Sequence, residues 1–126
     1  MLKRIRRGFT LVELMVVMAI IALLLALALP RYFKHLDMSR ETILKQDLAV
    51  MRDAIDKYHG DTGRYPDSLD ALVSARYLRS LPVDPITERP DTWLIVAPSG
   101  GDAGAMVDIK SGAPGTAHDG SAYADW

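Results

Sequence analysis

The fold is decided by residues 8–30, which read GFTLVELMVVMAIIALLLALALP. Residues 14–29 carry no polar side chain, and within residues 9–29 only Thr10 and Glu13 are polar. A helix of that length is about 31 Å long, which matches a bilayer hydrocarbon core of about 30 Å. Residues 1–8 hold four bases and no acid, which predicts a cytoplasmic N-terminus. The sequence therefore predicts one membrane helix, with the rest of the chain on the far side of the membrane.

A secretory signal peptide is the competing interpretation of the same residues. Ala26-Leu27-Ala28 has the small-residue pattern of a signal peptidase site. The apolar run is long for a signal peptide, however, and it contains the acidic Glu13. The alternative is a soluble domain or enzyme that is released after Ala28.

Glu13 is the informative residue of the apolar segment. A carboxylate at membrane depth costs about 2–3 kcal/mol, so it is expected to have a partner. Cleavage between Gly8 and Phe9 would create an α-amine one helical turn away, in the same chain or in a neighbour. The alternative is an acid that lies near the interface and reaches toward water.

Composition limits the chemistry of the chain. It has 126 residues, room for one small domain, and no cysteine, which excludes thiol nucleophiles, disulfides and iron–sulfur clusters. Residues 31–126 hold 11 bases against 15 acids, and an acidic body argues against nucleic-acid binding. His35, His59 and His118 have no metal-ligand or triad spacing, so we predict no enzyme.

Residues 31–59 have the apolar periodicity of a helix, and Pro30 marks a kink or break before them. Gly60 is the predicted C-terminal cap. Glu41–Lys45 and Asp53–Lys57 have the spacing of ion pairs along a helix. The apolar stripe comprises Phe33, Leu36, Leu44, Leu48, Met51, Ile55 and Tyr58.

Beyond this helix the sequence predicts shorter elements. Residues 61–67 read as a loop, and Asp67 or Ser68 is expected to cap a short second helix. Residues 81–85 are extended because of their prolines. Residues 92–96 and 106–110 are predicted strands, joined as a hairpin by the turn at residues 99–102. Tyr123 and Trp126 are the apolar anchors expected for the C-terminal loop.

The motif Gly8-Phe9-Thr10-Leu11-Val12-Glu13, with the basic leader before it and the apolar run to Pro30 after it, resembles the class III signal of type IV pilins and type II secretion pseudopilins. The resemblance implies that a prepilin peptidase cuts after Gly8 and methylates Phe9. It implies that Glu13 is the assembly glutamate and that Pro30 marks a bend. The implied parts are a leader (1–8), a membrane and filament-core helix (9–30), and a periplasmic domain (31–126).

The body resembles the G-type, or major, pseudopilin. The matching pieces are Gly63-Arg64-Tyr65-Pro66, Leu81-Pro82-x-Asp84-Pro85, Asp108-Ile109-x-Ser111 and Asp125-Trp126. The absence of cysteine favours a pseudopilin over major type IV pilins, which usually carry a C-terminal disulfide. The implied fold is α+β and type IV pilin-like, with a long N-terminal helix packed on a small antiparallel sheet.

The resemblance implies a structural subunit of a pseudopilus, not an enzyme. It would be a single-pass protein of the bacterial inner membrane that polymerises with itself. Its implied partners are the prepilin peptidase, minor pseudopilins and the inner-membrane assembly platform. The assembled filament would push folded proteins through an outer-membrane secretin. A type IV pilin or minor pilin, for adhesion, twitching motility or DNA uptake, is the alternative.

The resemblance also implies a calcium site in the C-terminal loop, with Asp119, Ser121 and Asp125 as candidate ligands. Calcium takes six to eight oxygen ligands. Two departures from the family pattern weaken this expectation. Pro114 replaces a common aspartate, and the usual glycine–glutamate run is missing. The alternative is that Asp119 and Asp125 are solvated turn residues.

Overall fold

A computed structural model describes residues 6–101 and 105–126. The chain forms two compact units, Met1–Asp37 and Met38–Trp126. Helix α1, Leu11–Thr62, supplies the helical residues of the first unit and the first helix of the second. The first five residues of the predicted leader lie outside the described residues, as does Asp102 of the predicted hairpin turn.

The first unit consists of the N-terminal half of α1 and the residues before it. The apolar side chains among its described residues, 6–37, are all exposed. Within the described residues, α1 is the one helix that is long and apolar enough to cross a membrane. The helix runs through Pro30 without interruption. A plain helix break at Pro30 is therefore wrong, whereas a bend at this residue stays a prediction.

The second unit is built on the C-terminal half of α1, which buries one apolar stripe. The predicted stripe is confirmed from Leu44 onward, whereas Phe33 and Leu36 lie on exposed surface. Removing such side chains from water contributes about 1.5–3 kcal/mol each. The buried members of the stripe are Leu44, Leu48, Met51 and Ile55, and Ala54, which is outside the predicted stripe, is also buried.

The end of α1 differs from the prediction. Gly60 is helical, and the helix continues to Thr62. Gly63 has a φ of 73°, and its N–H donates to the carbonyl of His59 at 2.8 Å. This is the left-handed capping arrangement that glycine favours, so the cap lies three residues later than predicted.

Helix α2 spans Leu69–Ser74. Ser68 is its N-cap, because its Oγ accepts a hydrogen bond from the Ala71 amide at 3.2 Å. Leu69 and Leu72 face the core. The prediction of a short helix with a cap at Asp67 or Ser68 is confirmed, with Ser68 as the cap.

Strands β1 (Trp93–Val96) and β2 (Asp108–Ser111) form the predicted antiparallel hairpin. Trp93 pairs with Ser111, and Ile95 pairs with Ile109. The second strand begins two residues later than predicted, and the amide of Met106 instead donates to the carbonyl of Pro66 at 2.8 Å. With α1 and this small sheet, the chain has the α+β, type IV pilin-like fold.

Candidate functional site

The predicted processing site lies just before α1. Phe9 is 88% exposed, and a Cβ added at Gly8 would meet no atom within 4 Å. The peptide bond between Gly8 and Phe9 is therefore open to an approaching peptidase. The structure does not test the cleavage itself, so the roles of Gly8 and Phe9 stay predictions.

Thr10 and Glu13 form a reciprocal capping box at the start of α1. Glu13 N donates to Thr10 Oγ1 at 3.1 Å, and Thr10 N donates to Glu13 Oε2 at 3.2 Å. Each side chain thus accepts a hydrogen bond from an amide that lacks a partner within the helix. The Thr-x-x-Glu spacing would have identified this motif from the sequence alone. Cleavage after Gly8 would make the Phe9 nitrogen the new N-terminal amine. The Glu13 carboxylate is bonded to the amide of Thr10, the next residue along the chain.

Glu41 connects α1 to the C-terminal loop. Its Oε1 accepts a hydrogen bond from the amide of His118 at 3.0 Å and lies 3.0 Å from Nδ1 of the same residue. It also accepts a hydrogen bond from Tyr123 Oη at 3.1 Å. The predicted ion pair of Glu41 with Lys45 is wrong, because these loop groups take the carboxylate. The predicted Asp53–Lys57 pair is confirmed at 2.8 Å.

Two cations of α1 hold the end of the same loop. Lys45 Nζ lies 4.5 Å from the ring centroid of Trp126. Arg52 Nη2 donates to the main-chain oxygens of Trp126 at 2.8 Å and Ile109 at 3.0 Å. Its Nε donates to Asp108 Oδ1 at 2.8 Å. The predicted docking of Tyr123 and Trp126 is therefore confirmed, and it involves charged groups that sequence reasoning missed.

The three candidate calcium ligands lie in this loop. Asp119 Oδ1 accepts hydrogen bonds from the amide of Ser121 at 2.9 Å and from its hydroxyl at 2.5 Å. Ser121 Oγ in turn accepts a hydrogen bond from Trp126 Nε1 at 2.7 Å. Asp125 ends a single 3-10 turn, Tyr123–Asp125.

These residues do not fit a calcium ion well. Within residues 6–101 and 105–126, no group of three or more histidine or acidic side chains is placed to hold a metal ion. Asp119 and Ser121 are bonded to each other, and Lys45 and Arg52 line the same cavity as Ser121 and Asp125. Calcium at this loop stays a prediction.

Local contacts shift the pKa values of three carboxyl groups in and around the loop, those of Glu41, Asp108 and Asp119. Burial alone raises the pKa of Glu41, but the hydrogen bonds from His118 and Tyr123 lower it below its usual value. Burial also raises the pKa of Asp108, and the bonds from Arg52 and Ile109 reverse that effect. Hydrogen bonds from Ser121 lower the pKa of Asp119, assisted by the charge of Lys45.

Asp84 is a buried acid whose contacts were not predicted from the sequence. It is 0% exposed and accepts hydrogen bonds from Ser111 Oγ at 2.5 Å and from the amide of Ile86 at 2.8 Å. Burial first, and then the charge of Asp84, raise the pKa of Asp47 on α1. The Asp-Pro of the Leu81–Pro85 motif was the available signal for this buried acid.

The three histidines are not brought together into a site. His118 contacts Glu41, and His59 stacks on the ring of Tyr65 with their centroids 4.1 Å apart. His35 lies in the first compact unit. The three histidines therefore do not form a catalytic group.

A comparison with protein families matches residues 3–29 to the family described as "Prokaryotic N-terminal methylation motif". This segment contains Gly8, Phe9 and Glu13. The match bears on the N-terminal segment alone.

Comparisons with curated proteins extend the likeness to the body of the chain. A type II secretion system core protein G of Pseudomonas aeruginosa is 36% identical over 101 residues, which cover 68% of this chain and 71% of that protein. A core protein G of Klebsiella michiganensis is 31% identical and covers 94% of both chains. Fimbrial protein EcpC of Eikenella corrodens is 32% identical over 96% of this chain and 82% of its own. No solved structure matches the chain.

Proposed function

The chain belongs to the family of type II secretion system core protein G, the major pseudopilins, and we propose that it polymerises into a pseudopilus that drives the export of folded proteins. The observation that carries this proposal is the likeness to a core protein G over 94% of both chains. The methylation motif at residues 3–29 supports it.

The N-terminal segment would have two successive roles, first in the membrane and then in the filament. The leader, residues 1–8, holds the N-terminus in the cytoplasm until the prepilin peptidase cuts after Gly8 and methylates Phe9. The apolar half of α1 then leaves the bilayer for a bundle of like helices, an exchange between two apolar surroundings. Because methylation keeps the charge of the amine, the amine of Phe9 can pair with Glu13 of its own chain or of a neighbour.

The proposed location is the bacterial inner membrane, with one spanning helix and a periplasmic body, residues 31–126. The basic leader supports this orientation. The proposed partners are other copies of the chain, the prepilin peptidase, minor pseudopilins and the assembly platform with its ATPase. The acidic body argues against nucleic acid as a partner.

The relatives are structural proteins of fibres and secretion systems by their names. We accordingly propose a structural role, without catalysis. A pilin is the second candidate, because a fimbrial protein and the type IV major pilin of Myxococcus xanthus also match the chain. The latter is 39% identical over 61 residues only.

Deletion and complementation in the host bacterium test the proposal. The deletion strain should retain secreted proteins in its periplasm, and the wild-type gene should restore secretion. Loss of surface fibres or twitching with normal secretion would favour the pilin. Mass spectrometry of the mature chain should find N-methylated Phe9, whereas Leu29 as the first residue would show signal-peptidase release.

Glu13→Ala tests the role of the assembly glutamate. The variant should insert into the membrane but fail to restore secretion. Asp56→Ala removes an exposed acid elsewhere on α1 and is the matched control. Normal pseudopili from Glu13→Ala would contradict the assembly role.

A further inference from the structure

We infer that Lys45 and Arg52 of α1 are the cations that close the C-terminal loop, and that the loop folds without a divalent ion. The resemblance to pseudopilins implies calcium at this place. The inference concerns the folding of the body, so it stands whether the fibre is a pseudopilus or a pilus.

Several oxygen atoms of the loop, among them Asp119 Oδ1 and Ser121 Oγ, are already engaged. Calcium requires six to eight oxygen ligands in a flexible site. Asp119 Oδ1 holds the amide and hydroxyl of Ser121, and the Ser121 hydroxyl also accepts the Trp126 indole N–H. Seven main-chain oxygens of the loop also accept hydrogen bonds from within the protein. These belong to Gly115, Ala117, Ser121, Ala122, Tyr123, Ala124 and Trp126.

The charges around the candidate ligands also oppose a cation. Lys45 and Arg52 line the cavity that Ser121 and Asp125 line from the loop side. A divalent ion bound there would face both fixed positive charges at short range, where Coulomb repulsion is strong. The two side chains already supply the positive charge that this acidic loop requires.

The helix thus organises the loop directly. Glu41, Lys45 and Arg52 are separated by four and seven residues, a spacing that keeps them on one face of α1. Glu41 binds the middle of the loop at His118, and Arg52 binds its end at the main-chain oxygen of Trp126. Lys45, between them, packs on the Trp126 ring. These contacts fix the loop to one rigid element at His118 and at Trp126.

Thermal unfolding of the full chain in detergent tests the inference, with tryptophan fluorescence as the signal. An ion that binds only the native protein raises the unfolding midpoint. We expect the same midpoint in millimolar calcium and in excess EGTA. A midpoint that rises with calcium and falls with EGTA would overturn the inference.

Terbium is a direct probe, because Trp126 would sensitise its emission from a nearby site. We expect no saturable emission from the wild-type protein. Saturable emission that calcium displaces and Asp119→Asn abolishes would show a calcium site and overturn the inference.

Lys45→Met tests the positive part of the inference, since it keeps the length of the side chain and removes its charge. Proteolysis within residues 112–126 should become several-fold faster in this variant. Lys57→Met, on the exposed face of the same helix, is the matched control and should leave the rate unchanged. Equal rates in the two variants would contradict the role of Lys45. If Lys45→Met does not fold, the calcium measurements on the wild-type chain still decide.

Discussion

Asp84 and Ser111 lie 27 positions apart in the chain, and their side chains meet in the core at 2.5 Å. Neither residue is exposed to solvent. Through this contact the loop that follows α2 is fixed to strand β2. The same Asp84 carboxylate accepts the amides of Ile86 and Thr87, so it also shapes the turn in which it lies.

Ser111→Ala should therefore destabilise the body. The substitution leaves the buried Asp84 without its hydroxyl donor, which costs about 1–3 kcal/mol. Urea denaturation should show that loss in the free energy of unfolding. Ser80→Ala removes an exposed serine and is the control. Equal free energies for the two variants would show that the contact is dispensable.

Local sequence signals predicted the elements that depend on neighbouring residues. The apolar run, the stripe from Leu44, the Ser68 cap and the hairpin each follow from patterns within a few residues. The end of α1 was misjudged because Asp61 and Thr62 read as loop residues. Thr62 Oγ1 instead donates to the carbonyl of Tyr58 at 2.7 Å, so the hydroxyl is satisfied within the last turn.

The contacts of the C-terminal loop could not be predicted from patterns among neighbouring residues. Glu41 has the right spacing for Lys45, yet its donors lie 77 and 82 positions away. Three hydrogen bonds in a half-buried site outweigh one exposed ion pair, which contributes little. Asp84 and Ser111 belong to separate sequence motifs, and only the fold shows that they meet.

The C-terminal loop should loosen in acid. Because the pKa of Glu41 is lower in the folded protein, its stabilising effect is present above the usual value of 4.5. The effect is lost as the pH falls through that value toward the lowered one. The lowered pKa values of Asp108 and Asp119 act in the same direction. Tryptophan fluorescence during an acid titration, to which both Trp93 and Trp126 contribute, should report the loss.

Glu41→Gln isolates the contribution of that carboxyl group. The variant should be less stable than the wild type at neutral pH and should lose less stability on acidification. Glu88→Gln changes an exposed acid of the same body and is the control. An unchanged acid response in Glu41→Gln would assign the transition to other groups.

Gly60 and Gly63 should respond in opposite ways to alanine. Gly60 is inside the helix, where alanine is favoured over glycine by about 0.5–1 kcal/mol. Gly63 has a φ of 73°, where a Cβ costs about 1–2 kcal/mol. Gly60→Ala should raise the unfolding midpoint and Gly63→Ala should lower it. The reverse order would place the helix cap at Gly60, as the sequence predicted.

The capping box of Thr10 and Glu13 should stabilise the first turn of α1. Thr10→Ala removes the hydroxyl that accepts the Glu13 amide, and loss of an N-cap costs about 0.5–2 kcal/mol. Amide hydrogen exchange at residues 11–13 in detergent should therefore become faster. Thr10→Ser keeps a hydroxyl at the same position and should exchange at the wild-type rate. If Thr10→Ala also exchanges at that rate, the first turn is held by other contacts. Because the Thr10 amide is also the donor to Glu13 Oε2, a frayed first turn would release the carboxylate from its position beside the new N-terminus.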